Sequence, residues 1–235
     1  MKKVRSERTS AIAVGALYVA ATVAAVLAMA VQAPGGLAGM ASHPADVFAA
    51  AFFELVMAVT VAGVAFMLYP VLKQDTDTPA KQGLALWYVG TRITEGTVFL
   101  VGMLGLLSMF ALSQAIAGAG AVDVAQLRAV GGVLKTVTDY SWVLGQTVFC
   151  VGAAMLYYLL FVSRRVPRWL AVWGLIAVPM MLVAGFLLSL TGDPNSTIST
   201  ILYAPMGLQE MVLAVWLIVR GFNPSIERKG EHYVR

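Results

Sequence analysis

Cysteine and histidine are scarce in this chain of 235 residues, which has one cysteine, Cys150, and two histidines, His43 and His232. A single cysteine excludes a disulfide framework within one chain. Both histidines fall outside the apolar segments, which excludes a bis-histidine haem in the membrane and does not support a histidine-ligated zinc site. The same scarcity leaves no Ser-His-Asp or Cys-His arrangement within a predicted helix. We therefore expect no catalytic residue, no metal and no cofactor.

Charged residues are also few, at 12% of the chain, whereas a soluble domain carries about 25%. Hydrophobic residues make up 60%, and the mean hydropathy is +0.82. These values predict an integral membrane protein in contact with membrane lipids. The formal net charge of +4 indicates no nucleic-acid partner, because the basic residues lie between apolar segments, where they set orientation.

Six apolar segments each reach or exceed the roughly 20 residues that a helix needs to cross a bilayer. Their approximate bounds are 9–31, 47–72, 84–110, 139–162, 169–190 and 200–219. The sequence therefore predicts an all-α, polytopic transmembrane bundle of six helices, with residues 1–235 forming a single integral membrane domain. The turn residues of 191–197 separate the last two segments.

The basic start of the chain, followed by the first apolar segment, is similar to a signal peptide. A signal core is about 7–15 residues long, and this run is longer. We interpret it as an uncleaved helix that ends at Pro34 and the Gly35-Gly36 pair, with cleavage near Ala33 as the alternative.

The stretch between the third and fourth segments has its own periodicity. Its apolar residues recur at spacings of three and four, which predicts an amphipathic helix lying in the membrane interface. They are Val124, Leu127, Val130, Leu134 and Val137.

Lysine and arginine are distributed unevenly about the six segments. Thirteen of the 16 fall on one side of the predicted membrane and two on the other, with Arg92 inside it. Because cytoplasmic loops carry the excess of basic residues, the count predicts cytoplasmic N- and C-termini in the cell membrane.

Charged side chains interrupt three of the apolar segments. Arg92 and Glu95 lie near the middle of the third, one helical turn apart and therefore on one face. A charge at that depth costs at least about 2.5 kcal/mol, so it must be paired or face a cavity. Counted along their helices, Glu54 in the second segment, Glu95 and Glu210 in the sixth all lie inside the membrane, and we expect their depths to overlap. The overlap predicts one cluster.

Two residues of the fourth segment, Gln146 and Asp139, are further candidates for a ligand or ion site, since they can approach the cluster from the outer side. Three ionised carboxylates and one guanidinium would carry a net charge of −2 in an apolar place. Either one or two glutamates are then protonated or a cation is bound. The plain alternatives are a self-neutralising Arg92–Glu95 pair, hydrogen-bonded neutral carboxyls, a helix cap at Asp139 and inter-helix contact by Gln146.

The cluster favours binding or transport of a small solute or a proton, with Arg92 as a movable counter-ion. Six helices are few for a transporter, so a homo-oligomer is compatible with this hypothesis. An accessory or structural membrane protein without catalytic activity is the alternative. A lipid-modifying intramembrane enzyme has less support, because no nucleophile or histidine accompanies the carboxylates.

Several short sequence words stand at intervals along the chain. They are GALY (15–18), MLYPVL (67–72), the R-x-x-E of Arg92 and Glu95, MLYYLLFVSRRVPRWL (155–170), and Glu210 followed by AVWLIVRGF (214–222). In these words the chain resembles the domain-of-unknown-function family 4386, small bacterial membrane proteins with six helices. The resemblance implies the fold and the importance of these positions, and it implies no reaction.

The predicted orientation can be tested by cysteine labelling. With Cys150 replaced by Ala, single cysteines at Ser42 and Asn195 should react with an impermeant thiol reagent added from outside, and one at Gln74 should not. Labelling of position 74 from outside would overturn the predicted topology.

Overall fold

The structure is a computed structural model that describes residues 2–31, 35–74, 78–191 and 197–224. Its helices are α1 (Lys2–Ala30), α2 (Gly36–Gly39), α3 (Pro44–Gln74), α4 (Pro79–Ala117), α5 (Ala121–Ser163), α6 (Arg168–Thr191) and α7 (Thr197–Val219), with a 3-10 turn at Met40–Ser42. Among the described residues, six helices are long and apolar enough to cross a membrane, all except α2. The predicted all-α bundle of six spans is therefore confirmed.

The six long helices form a ring. Each packs on the next one along the chain, and α1 closes the ring by packing on α7. Six helices in a ring enclose a space about as wide as one more helix, about 10 Å. Large side chains from several helices occupy this interior. Tyr88, Tyr157, Leu68, Leu156, Met206 and Leu213 are among the most buried of them.

Glycine permits close approach at two contacts of the ring. A Cβ atom on Gly96 of α4 would lie 2.9 Å from the carbonyl oxygen of Ala58 in α3. A Cβ on Gly15 of α1 would lie 2.7 Å from the carbonyl oxygen of Ala214 in α7. Small residues at such points let helix backbones pack closely in a membrane. The α1–α7 seam that closes the ring therefore depends on a glycine.

The prediction of a separate interfacial helix between the third and fourth spans needs correction. Residues 121–137 are helical, but α5 includes them and runs without a break from Ala121 to Ser163. Leu127 and Leu134 are half-buried, whereas Val130 and Val137 are 52% and 41% exposed. The reason is that α4 also continues, as far as Ala117, and gives this part of α5 a helix to pack on.

The Gly131-Gly132 pair does not interrupt α5, because Gly131 makes room for a neighbour. A Cβ on Gly131 would collide with the side chain of Leu37 in α2. Leu37 and Met40 pack with apolar residues of the α4–α5 hairpin, and the Ala41 amide donates a hydrogen bond of 2.9 Å to the Ser113 hydroxyl. The segment between α1 and α3 thus covers the end of that hairpin.

At the other end of the bundle, Arg8 of α1 holds the last turn of α7. Its guanidinium donates hydrogen bonds of 3.3, 2.7 and 3.2 Å to the carbonyls of residues 217, 218 and 219. A cation at this point also complements the partial negative charge of a helix C-terminus. The ring seam is therefore fixed by a polar cap as well as by the close contact at Gly15.

Arg165 ties the α5–α6 loop into the same end. Its side chain is fully buried, pairs with Glu7 of α1 at 3.3 Å and donates to the Asn223 carbonyl at 3.2 Å. Asn223 in turn donates from Nδ2 to the carbonyl of Arg164, at 2.9 Å. This basic end, comprising residues 7–8, 164–168 and 217–223, therefore joins α1, α7 and the loop before α6.

Some predictions fall on residues outside the described ranges. They concern the break at Pro34 with possible cleavage at Ala33, the turn residues 192–196, and the tail from residue 225, which includes His232. Pro179 and Pro205 both lie inside helices, in α6 and α7, that continue past them.

The close contact between α1 and α7 predicts that alanine is tolerated at some glycine positions and not at others. Gly15→Ala should lower the free energy of unfolding by about 1–3 kcal/mol, because the new methyl group meets backbone that cannot rotate away. Gly207→Ala, on the open side of α7 with nothing within 4 Å of its added Cβ, should be neutral or stabilising by up to about 1 kcal/mol. Unfolding of both variants in mixed micelles would measure this, and equal effects would contradict the close α1–α7 contact.

Candidate functional site

The candidate site is built on one face of α4. Tyr88, Arg92 and Glu95 follow each other at spacings of four and three, so they point in one direction. Arg92 Nη1 donates a hydrogen bond of 2.7 Å to Glu95 Oε2, and both side chains are 3% exposed. The sequence prediction that these two residues share a face is confirmed by this contact.

The guanidinium of Arg92 also lies against aromatic rings. Its Cζ atom is 4.9 Å from the ring centroid of Phe149 in α5 and 6.0 Å from that of Tyr88. Gly152 of α5 makes room for the neighbouring Thr91 of α4, since a Cβ there would lie 2.6 Å from the Thr91 hydroxyl oxygen. Cation–π contacts of this kind stabilise a desolvated cation. They compensate in part for the water that Arg92 has lost.

Two buried polar atoms of this cluster are only weakly bonded. Among the described residues, Arg92 Nε and the Tyr88 hydroxyl make no hydrogen bond of good geometry, although the Tyr88 hydroxyl faces Tyr18 and Arg92. A buried polar group without a partner costs about 1–3 kcal/mol, so a poorly bonded one recovers only part of this.

Glu210 of α7 reaches the same region from the opposite side of the ring. It shares a helical face with Met206, Leu213 and Leu217, which are all buried. Glu210 nevertheless stays partly accessible, so the packing leaves room beside its carboxylate. Its charge acts on Arg92 and Glu95, but it forms no ion pair or hydrogen bond with any described residue.

The charges of the cluster do not balance. Arg92 and Glu95 neutralise each other, which leaves Glu210 as an unpaired carboxyl in an apolar interior. An ionised carboxylate is costly in such a place, and partial accessibility and the charge of Arg92 offset only part of that cost, so uptake of a proton or a cation is favoured. The site is therefore suited to hold one positive charge.

Buried aromatic and polar side chains complete the surroundings. Tyr18 of α1, Tyr157 of α5 and Cys150 of α5 are buried and lie within electrostatic range of Glu210. The Tyr157 hydroxyl donates to Gln209 Oε1 at 2.5 Å, and Gln209 Nε2 donates to the Leu170 carbonyl at 3.2 Å. These bonds fix the Tyr157 hydroxyl and join α5, α7 and α6.

The other candidate residues lie elsewhere. Gln146 donates to the Met181 carbonyl of α6 and accepts from the Tyr203 hydroxyl of α7, both at 2.7 Å, so it joins three helices. Asp139 is exposed and pairs with Lys135 at 2.6 Å. Neither side chain contributes a charge to the central cluster.

Glu54 is buried on α3 but is not part of this cluster. Among the described residues, its Oε2 atom has no hydrogen-bond partner and no charged side chain acts on its carboxyl. The neighbouring Met57 packs with Ala24 and Phe99. The structure therefore brings together Arg92, Glu95 and Glu210, and leaves Glu54 by itself.

Sequence reasoning missed the aromatic part of the site. Tyr88 carried a usable signal, because it precedes Arg92 by four residues. Tyr157 also carried a signal, because it follows Gln146 and Cys150 at helical spacing on one face of the fourth segment. Tyr18 lies within an apolar run and shows no polar pattern, so its place in the site depends on the α1–α7 seam.

The ion pair can be tested by a double-mutant comparison. Arg92→Ala should lower the free energy of unfolding by about 3–5 kcal/mol, because it leaves the Glu95 carboxylate buried without its counter-charge. Adding Glu95→Gln should recover part of that loss. Unfolding in mixed micelles would measure both.

A matched control is the exposed Lys135–Asp139 pair. Lys135→Ala should change the free energy of unfolding by less than about 1 kcal/mol, since water already screens that pair. A double variant of Arg92 and Glu95 that is no more stable than Arg92→Ala would contradict the assigned pairing.

One of three comparisons with known proteins identifies a family. A search of the curated proteins and of the solved structures finds no significant match. The family model for the domain of unknown function DUF4386 matches residues 13–221, a range that includes every residue of the central cluster. The predicted family resemblance is confirmed, and this chain, a multi-pass membrane protein, belongs to the DUF4386 family.

Proposed function

We propose that this multi-pass membrane protein binds a small positively charged solute or a proton at Glu210 and moves it across the membrane. The observation that carries the proposal is the unpaired carboxyl of Glu210, held inside the helix ring beside an ion pair that is already neutral. Ionisable residues inside a membrane domain commonly mark ion or proton pathways.

The membrane concerned is the cell membrane, with both termini in the cytoplasm. This assignment rests on the excess of Lys and Arg at the basic end and in the second loop. The solute would then move between the cytoplasm and the outside through the interior of the ring.

Arg92 supplies a way to release the solute. It donates to Glu95 through Nη1, while its buried Nε has no partner among the described residues. Its charge acts on Glu210 as well. A small shift of the guanidinium toward Glu210 would replace a bound cation there, so Arg92 acts as a movable counter-ion.

Pro179 and Pro205 offer points at which the ring can change shape. Each lies inside a helix and lacks the amide hydrogen that would bond to the preceding turn. Pro205 precedes Glu210 by five residues on α7. Bending at Pro205 would therefore move the carboxyl relative to Arg92.

A structural or accessory role is the second candidate function. The observation that favours it is the tight closure of the ring, with Arg8 capping α7 and Arg165 fully buried in the basic end. In a static bundle, Glu210 would simply remain protonated.

Transport can be measured in proteoliposomes, with a pH-sensitive dye inside for proton flux and radioactive sodium for sodium flux, and with either ion driven inward by a potassium diffusion potential. The protein should support a flux that protein-free liposomes lack. Glu210→Gln keeps the shape of the side chain but removes its charge, and it should reduce the flux at least about tenfold, equivalent to 1.4 kcal/mol.

Asp139→Asn is the matched control, since it removes an equal charge at an exposed position of α5. It should leave the flux unchanged. Equal flux with Glu210→Gln and with the unaltered protein would rule out the transport proposal, and absence of any flux would favour the structural role.

A further inference from the structure

Helix α5 is much longer than its neighbours α6 and α7. It has 43 residues against 24 and 23, which makes it about 64 Å long and them about 36 and 35 Å. Because α5 ends at Ser163 and α6 begins at Arg168, these two ends lie on the same side of the membrane. The extra length of α5, about 28 Å, therefore projects on the opposite side, where it packs on the end of α4.

This projecting part of α5 extends beyond the bilayer. Counted along the helix from Arg164, Val133 lies at about 46 Å and Val130 at about 51 Å. A bilayer is about 40–45 Å thick when its headgroups are included. Val133 and Val130 are 64% and 52% exposed, so their side chains face water and not lipid.

The large apolar side chains that α5 exposes lie on one line. Among the described residues there are seven of them, each 41–65% exposed, and they recur at spacings of three, four or seven. Those are the a and d positions of a heptad repeat. We call them the α5 stripe: Val130, Val133, Val137, Tyr140, Leu144, Val151 and Tyr158.

The stripe passes from water into the membrane without a change of spacing. Inside the bilayer lipid can cover it, but lipid does not reach Val130 and Val133. A continuous apolar surface in water marks a contact with another protein.

The charged residues of this part of α5 avoid the stripe. Between residues 124 and 163 they are Arg128, Lys135 and Asp139, which occupy heptad positions c and f. Lys135 and Asp139 pair with each other at 2.6 Å. Positions a, d, e and g, which face the partner in a two-stranded coiled coil, carry no charge in this stretch.

We propose that a second copy of this chain covers the α5 stripe, with two α5 helices packed side by side and parallel about a two-fold axis normal to the membrane. In such a pair the residues nearest the axis meet their own copies, so any charge there would meet a like charge. The uncharged stripe meets this requirement. The inference is independent of the proposed function, because no residue of the stripe belongs to the central cluster.

Two further features favour a second copy over another protein. Two chains inserted the same way bring their α5 helices together over both the outer and the membrane parts, as the continuous stripe requires, whereas a soluble partner reaches the outer part alone. Valine at three of the a positions, 130, 137 and 151, favours two strands.

The available area is also sufficient. From Gln126 to Tyr158 the heptad positions extend over about 48 Å, and a helix with its side chains is about 10–12 Å wide. Two such strips bury about 1,000 Å² in total, which reaches the area expected of a specific interface.

Cysteine cross-linking in membranes tests the contact. With Cys150 replaced by Ala, single cysteines at Val133, Val137 and Val151 should form disulfide-linked dimers under a membrane-permeant oxidant. Cysteines at Gly132 and Lys135, which are exposed on α5 but lie off the stripe, should form little. Equal cross-linking at all five positions, or none at Val151, would overturn the proposal.

A charge placed on the stripe should separate the two copies. Val133→Asp should weaken dimerisation at least about tenfold, measured by energy transfer between donor- and acceptor-labelled chains in liposomes, because it brings two carboxylates together in an apolar contact. Val133 is exposed in the single chain, so circular dichroism should show unchanged helix content.

Ala111→Asp is the matched control, since it adds the same charge at an exposed position of α4 on the same projecting hairpin. It should leave the energy transfer unchanged. Equal transfer in Val133→Asp and in the unaltered protein would overturn the proposal. So would an unaltered protein that shows no transfer at any density in the liposomes, which would leave the outer half of the stripe to a different partner.

Discussion

The structure depends on the need to compensate charge within an apolar bundle. Arg92 is buried in the middle of a membrane-spanning helix, and its cost is offset by Glu95 one turn away and by the rings of Phe149 and Tyr88. Because this pair is neutral, Glu210 is left with no ion-pair partner among the described residues. That remaining carboxyl makes the ring interior a candidate binding site.

The arrangement of the helices explains why these groups meet. A closed ring points one face of every long helix inward, so side chains from α1, α4, α5 and α7 converge although they are far apart in sequence. The seam between α1 and α7 decides whether the ring closes. Gly15 allows their backbones to approach, and Arg8 caps the last carbonyls of α7. The positions of the site residues therefore depend on the contact between α1 and α7.

The sequence predicts the six spans and the charged residues of the site, but not its aromatic residues. Long apolar runs decide the number of helices, and the spacing of Arg92 and Glu95 places them on one face because both lie on one helix. Depth alone grouped Glu54 with them, but in the structure none of the other charges of the cluster acts on Glu54. The apolar residues between 124 and 137 could contact either lipid or another helix. The sequence does not decide between them, because it does not show that α4 is long enough to pack on this part of α5. Tyr18 enters the site through packing between the first and last helices, which no local pattern reports.

Isotope-edited infrared spectroscopy tests the central claim, that Glu210 is an unpaired carboxyl that takes up one positive charge. With glutamate side chains labelled by carbon-13, raising the pH or adding sodium ions should reduce the carbonyl band of a protonated carboxyl and increase a carboxylate band, as the proton leaves or is replaced. Glu210→Gln should reduce this change, and Glu54→Gln should leave the part that is due to Glu210. A spectrum in which neither raising the pH nor adding sodium ions causes a Glu210-dependent change would contradict the account.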